Sequence, residues 1–102
     1  DQYSIIFING LIGELNVKVI GFLEDNQRKI GNVIGGVKIY SARQDFEKVV
    51  IKNNPSELII ATTHISLERK NELVDQCLEF GIKVSSVPSI DQWIGGQFGI
   101  DQ

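Results

Sequence analysis

Glu24 and Asp25 follow directly on the run VKVIGFL, Val17 to Leu23. A carboxylate just past a buried strand can accept hydrogen bonds from ribose hydroxyls. The dinucleotide fingerprint pairs such an acid with glycines that let backbone amides approach a pyrophosphate. Gly10 and Gly13 supply a remnant of that glycine loop, because Gly10-Leu11-Ile12-Gly13 lacks the first glycine of the full motif. Thr62, Thr63 and His64 form a second candidate group between the end of one strand and the start of a helix, where a phosphate would meet amides and the positive end of the helix dipole. Each group also has a purely structural reading. The acids can be a polar turn that stops a strand, the hydroxyls can cap a helix, and a histidine with no companion acid or cysteine can be a surface side chain.

The sequence lacks the usual catalytic equipment: it has no zinc-ligand spacing, no P-loop and no GxSxG elbow. Cys77 falls on the apolar stripe of a helix, where nothing lowers its pKa, so it reads as core and not as a nucleophile. The expectation is therefore no catalytic residue and no metal site. The cofactor-binding set is Glu24, Asp25, Thr62, Thr63, His64, Gly10 and Gly13, with NAD(P) or another nucleotide as the ligand.

The elements that must position these residues follow from periodicity. Val17 to Leu23 is β-branched and nearly all apolar, as a strand covered on both faces is. Ile30 to Tyr40 is a glycine-punctuated loop ending in the short strand VKIY, and Ala42 to Asn53 places Phe46, Val49 and Val50 at helical spacing. Pro55 stops that helix before the strand Glu57 to Ala61. Ser66 can cap a helix from about Leu67 to Phe80 whose stripe is Leu67, Leu73, Val74, Cys77, Leu78 and Phe80, with Gly81 closing it. Ile82 to Val87 then alternates as a last strand before Pro88, and Ser89 can cap a short final turn through Trp93. Strands alternating with helices predict an α/β, Rossmann-like three-layer fold with a mainly parallel sheet.

Residues 1–16 admit three readings. Ile5, Ile8, Ile12 and Leu15 allow a helix, and Asn9-Gly10 allows a hairpin turn. Alternatively, Ser4 to Ile8 is an opening parallel strand. Asn9 to Asn16 is then shorter than the dozen or so residues that a parallel crossover needs.

At 102 residues, 42% hydrophobic and 23% charged, the chain predicts one globular domain over 1–102. A net charge of -3 with interleaved signs offers no basic face for nucleic acid. The apolar runs fall short of the roughly 20 residues that span a bilayer. One cysteine, without a signal-peptide pattern, suits a reducing compartment such as the cytoplasm. A start without methionine and an end at Asp101-Gln102 lead us to expect a piece of a larger protein. Trp93, Ile94, Phe98 and Ile100 put large apolar side chains in a glycine-loosened tail, readable as packing on the sheet edge or as an interface, including that of a homodimer.

Three stretches carry a family likeness. Gly21 to Asn26 matches a "GF-aliphatic-D-D-acid/N" turn, Gly31 to Tyr40 matches "G-x-x-I-x-G-V/I-x-V/I-Y", and Gly81 to Gly96 matches "G-x-x-V-x-x-V-P-x-x-D-x-W-I-x-G". Over roughly Asn16 to Gln102 the chain resembles the accessory Rossmann-like, CoA-binding-like domain of membrane-attached nucleoside-diphosphate-sugar epimerase/dehydratases of capsular and surface polysaccharide biosynthesis. That resemblance implies a nucleotide or sugar nucleotide as ligand. It also implies a catalytic domain in the same chain and a cytoplasmic parent enzyme attached to the inner membrane. The family's opening strand and G-A-G-x-x-G loop have no counterpart in residues 1–16. The catalytic lysine and acid, and the loop holding the catalytic NAD(P), belong to the other domain, so the resemblance assigns no catalysis to this piece. A structural or oligomerising domain without a ligand is the competing reading.

Overall fold

The computed structural model describes residues 5–10, 16–62 and 64–87. Six strands form one sheet in the order β3-β4-β2-β1-β5-β6. These are β1 (Ile5–Asn9), β2 (Lys18–Glu24), β3 (Val33–Ile34), β4 (Val37–Ser41), β5 (Glu57–Ile60) and β6 (Lys83–Ser86). Strand β2 is parallel to β4 and β5 is parallel to β6, while β1 runs antiparallel to both β2 and β5. Four strands thus point one way, which makes the fold α/β and Rossmann-like with a mainly parallel sheet; β1 opposes them from the middle, and the two-residue β3 opposes them at the edge, antiparallel to β4.

The position of β1 settles the choice among the readings of the amino-terminal segment. It is neither a helix nor an opening parallel strand. It pairs back against β2, as the hairpin reading requires, with Asn9 opposite Lys18. The short connection to β2 permits an antiparallel return and forbids a parallel one. With Asn9 opposite Lys18, the connection is longer than an Asn9-Gly10 turn alone would make it. Gly13 and residues 11–15 lie outside the described residues, as do Thr63 and residues 88–102, including the Ser89 turn and the apolar tail from Trp93.

Helix α1 (Phe46–Asn53) begins later than Ala42 because Ser41 and Asp45 first build a turn. The Asp45 carboxylate accepts from the Ser41 amide at 2.9 Å, and the Ser41 hydroxyl accepts from the Gln44 amide at 3.1 Å. Helix α2 (Leu67–Glu79) is capped by Ser66, whose hydroxyl accepts from the Arg69 amide at 3.1 Å. The glycine at its end, Gly81, adopts the expected left-handed φ of 72°. The predicted stripe of α2 is narrower than expected. Leu73 and Cys77 are fully buried, whereas Leu67 and Leu78 are 73% and 72% exposed, because they fall outside the arc of the helix that meets the sheet.

Both helices pack on one face of the sheet. There Phe46, Val49, Leu73 and Cys77 meet Phe7, Leu58 and Ile60, and the Phe7 and Phe46 rings stand 5.2 Å apart. Ile6, Ile8, Phe22, Ile39, Ile59 and Ala61 form a second buried cluster on the other face. No helix among the described residues lies over that face. Burying one such aliphatic or aromatic side chain contributes about 1.5 to 3 kcal/mol.

Strand β2 serves both faces through a bulge. Its register with β1 runs from Phe7 opposite Gly21 to Ile8 opposite Val19, skipping Ile20. Ile20 joins the helix-side cluster, yet Phe22, two residues on, joins the other. The bulge therefore reverses the alternation within one strand. A Cβ on Gly21 would lie 2.7 Å from the Tyr40 ring. Gly21→Ala is expected to destabilise the fold by about 1 to 3 kcal/mol through overpacking. In a Tyr40→Ser background the same substitution should cost less, and chemical denaturation of the double-mutant cycle measures that coupling.

Burial pushes the Cys77 thiol up from 9.0 to about 11. Below pH 9.0 the thiol is neutral in both folded and unfolded chains and contributes no pH dependence. Between pH 9.0 and about 11 the unfolded chain loses the proton that the folded chain keeps. Stability should therefore fall across that window by about 1.4 kcal/mol per pH unit more steeply than in Cys77→Ala. Native Cys77 should resist thiol reagents until the chain is unfolded.

Candidate functional site

The chain leaves β2 toward one edge of the sheet, to β4, and leaves β5 toward the other, to β6. A crevice opens where such departures diverge, at the carboxyl ends of the strands, which is where open α/β sheets take ligands. Here a pocket of about 390 Å³ lies at that point, lined by Ile5, Leu23, Glu24, Asp25, Thr62, His64, Ile65, Ser66 and Arg69. Its size falls within the ordinary range of small-molecule sites. Because β1 is antiparallel, its first residue, Ile5, reaches this end of the sheet.

The pocket brings together Glu24, Asp25, Thr62 and His64 from the expected set. Gly10 is not among them. It follows β1 at the opposite end of the sheet, where its amide donates to the Ser56 hydroxyl at 3.1 Å and its carbonyl accepts from that hydroxyl at 3.0 Å. The reversed direction of β1 is the reason, since a phosphate loop needs its strand parallel to the others. Gly13 and Thr63 lie outside the described residues.

Both acids carry structural bonds. One Glu24 oxygen, Oε2, accepts from the Asp25 and Asn26 amides, each at 3.1 Å, so the side chain braces its own turn. Asp25 Oδ2 accepts from Arg69 Nε at 3.2 Å and Oδ1 from Arg69 Nη2 at 3.1 Å, a two-bond fork across the pocket. Arg69 Nη1 donates to Glu72 Oε1 at 3.1 Å, and Arg43 Nε stands 3.8 Å from Asp25 Oδ1. On the other wall the Thr62 hydroxyl accepts from the His64 amide at 3.0 Å, a local turn that presents the loop before α2.

Arg69 is the site residue that the sequence reading missed. It lies in the first turn of α2, where the helix dipole disfavours a cation. A basic residue in the first turn after a cap therefore signals a need for nearby acids, and Asp25 and Glu72 supply them. The cap itself is testable. Ser66→Ala should lower stability by about 1 kcal/mol, whereas Ser66→Asp should retain it, as thermal unfolding followed by circular dichroism would show.

No protein-family model matches the chain, and no curated protein matches it. Among the described residues there is no group of three or more potential metal ligands, and no helix is long and apolar enough to cross a membrane. A solved structure similar in fold is UDP-D-quinovosamine 4-dehydrogenase from Vibrio fischeri. It shares 23% identity at a TM-score of 0.60, over 81% of this chain and 67% of that one. The chain and that dehydrogenase share a Rossmann-like fold.

Proposed function

We propose that the chain is a non-catalytic, nucleotide-binding-type accessory domain of a nucleoside-diphosphate-sugar epimerase/dehydratase acting in capsular or surface polysaccharide biosynthesis. The observation that carries this reading is the pocket between the ends of β2 and β5, which gathers Glu24, Asp25, Thr62 and His64 at the point where α/β sheets bind nucleotides. The motifs from Gly21 to Asn26 and from Gly31 to Tyr40 support it. So does the likeness in fold to an enzyme named for a UDP-linked sugar. In this proposal Glu24 and Asp25 face the hydroxyl-bearing part of the ligand, and the loop of Thr62, Thr63 and His64 faces its phosphates. The catalytic domain follows in the same chain and holds the NAD(P) of the reaction. The parent enzyme works on the cytoplasmic side of the inner membrane, to which it is attached.

A structural or oligomerising domain without a ligand is the second reading. It is favoured by one specific observation: both Asp25 oxygens are already bonded to Arg69.

The two readings separate in a thermal-shift titration with NAD, a UDP-sugar and CoA. Ligand binding to the folded state must raise the melting temperature by mass action. Under the nucleotide reading at least one ligand raises it, and Glu24→Ala combined with Asp25→Ala removes the rise. No shift with any of them at millimolar concentration, together with self-association in sedimentation, would establish the structural reading instead.

A further inference from the structure

We propose that Asp25 sets the specificity of the pocket: its carboxylate fills the anion seat between the Arg69 and Arg43 guanidinium groups, and so directs that wall toward uncharged hydroxyls and away from phosphate. This inference rests on the reading that the pocket takes a nucleotide or sugar nucleotide, and it concerns which part of the ligand meets the wall formed by Asp25 and Arg69.

The geometry is that of an anion site with its anion supplied by the chain itself. Arg69 presents Nε and Nη2 side by side to the two Asp25 oxygens at 3.2 and 3.1 Å, the same fork with which arginine holds a phosphate. Arg43 adds a second guanidinium 3.8 Å from Oδ1. Asp25 directly follows β2, so its carboxylate is tethered at the seat, and any dissolved anion must compete with that high local concentration. The remaining nitrogen of Arg69, Nη1, is bonded to Glu72, so two carboxylates already balance its charge.

Charge along the pocket wall points the same way. Three carboxylates, Glu24, Asp25 and Glu72, stand around the two guanidinium groups of Arg69 and Arg43, so an incoming phosphate meets an excess of negative charge. A hydroxyl does not. It can donate to Glu24, whose bonds among the described residues all fall on Oε2, or to a remaining lone pair of Asp25. The side chain of Arg69 is 14% exposed and that of Asp25 is 42% exposed, so the acid stands on the solvent side of the pair, where a ligand arrives.

The test uses inorganic phosphate as the probe, titrated at constant ionic strength and followed by thermal shift and by the NMR signal of Arg69 Nε. The wild-type chain should show no saturable response. Asp25→Asn, which keeps the shape and removes the charge, should gain at least about tenfold in apparent phosphate affinity. Adding Arg69→Gln should abolish the gain. Glu47→Gln, the same change of charge on the exposed side of α1, should gain nothing. If Asp25→Asn fails to fold by circular dichroism, Asp25→Ser takes its place. The proposal is overturned by any of three results: wild type binding phosphate as tightly as the variant, a variant without gain, or a gain that survives Arg69→Gln. None of these uses a nucleotide, so the failure of this proposal and the failure of the nucleotide reading are separate results.

Discussion

Strand β1 is the constraint on which the rest of the structure depends. On one side of it lie β2, β4 and β3, on the other β5 and β6, and among the described residues no other strand joins the two groups. Ile6, Phe7 and Ile8 are fully buried, Phe7 toward the helices and the two isoleucines toward the opposite face. The strand is paired along both edges and covered on both faces, so any shift in its register would misplace both hydrophobic clusters at once. Its antiparallel direction also has a functional consequence. It brings Ile5 into the lining of the pocket and sends Gly10 to the far end of the sheet.

The bulge in β2 is the second decision of the fold, and it follows from the first. Val19 and Ile20 alternate faces normally, and then the skipped residue moves Phe22 to the face opposite Ile20. Leu23 is thereby set under the helices, and Glu24 and Asp25 emerge from the strand at the rim of the crevice. Gly21 is required there because the Tyr40 ring of the neighbouring strand occupies the space a side chain would need. Lys38, on the same strand as Tyr40, lies 5.3 Å from the centre of that ring and covers its outer side.

Much of this was legible in the sequence, because the signals concerned were local. The β-branched runs of β2 and β5, the Ser66 cap and the Gly81 stop are each written in a few neighbouring residues, and the structure places them within a residue or two of expectation. The Glu24-Asp25 turn and the Thr62 loop were legible as a pair for the same reason, since residues following parallel strands share one end of a sheet. What was not legible depended on long-range geometry. Near Ile5 the local signals that the strand will run against its neighbours are Asn9-Gly10 and a connection too short for a crossover, and both compete with a helical spacing of isoleucines. The exposure of Leu67 and Leu78 reflects how much of α2 the sheet can cover, a property of the packed pair and not of the helix sequence.

The acids at the end of β2 show how far residue type alone can mislead about function. A carboxylate in that position suggests a ribose acceptor, and a cation in the first turn of α2 suggests nothing by itself. Their meeting changes both. Arg69 opposes the dipole of its own helix and is accommodated because Asp25 and Glu72 neutralise it, so Asp25 acts first as a counter-ion. Glu24, one residue earlier, accepts its bonds among the described residues on one oxygen, from its own turn. The two neighbouring carboxylates are thus unequal. One is tied into the electrostatics that fasten α2 to the end of β2, and the other is braced by its backbone with a lone pair to spare. Orienting a ligand hydroxyl in this pocket, as proposed, needs an acid that is both held in place and able to accept, and in its bonds among the described residues Glu24 meets that condition better than Asp25.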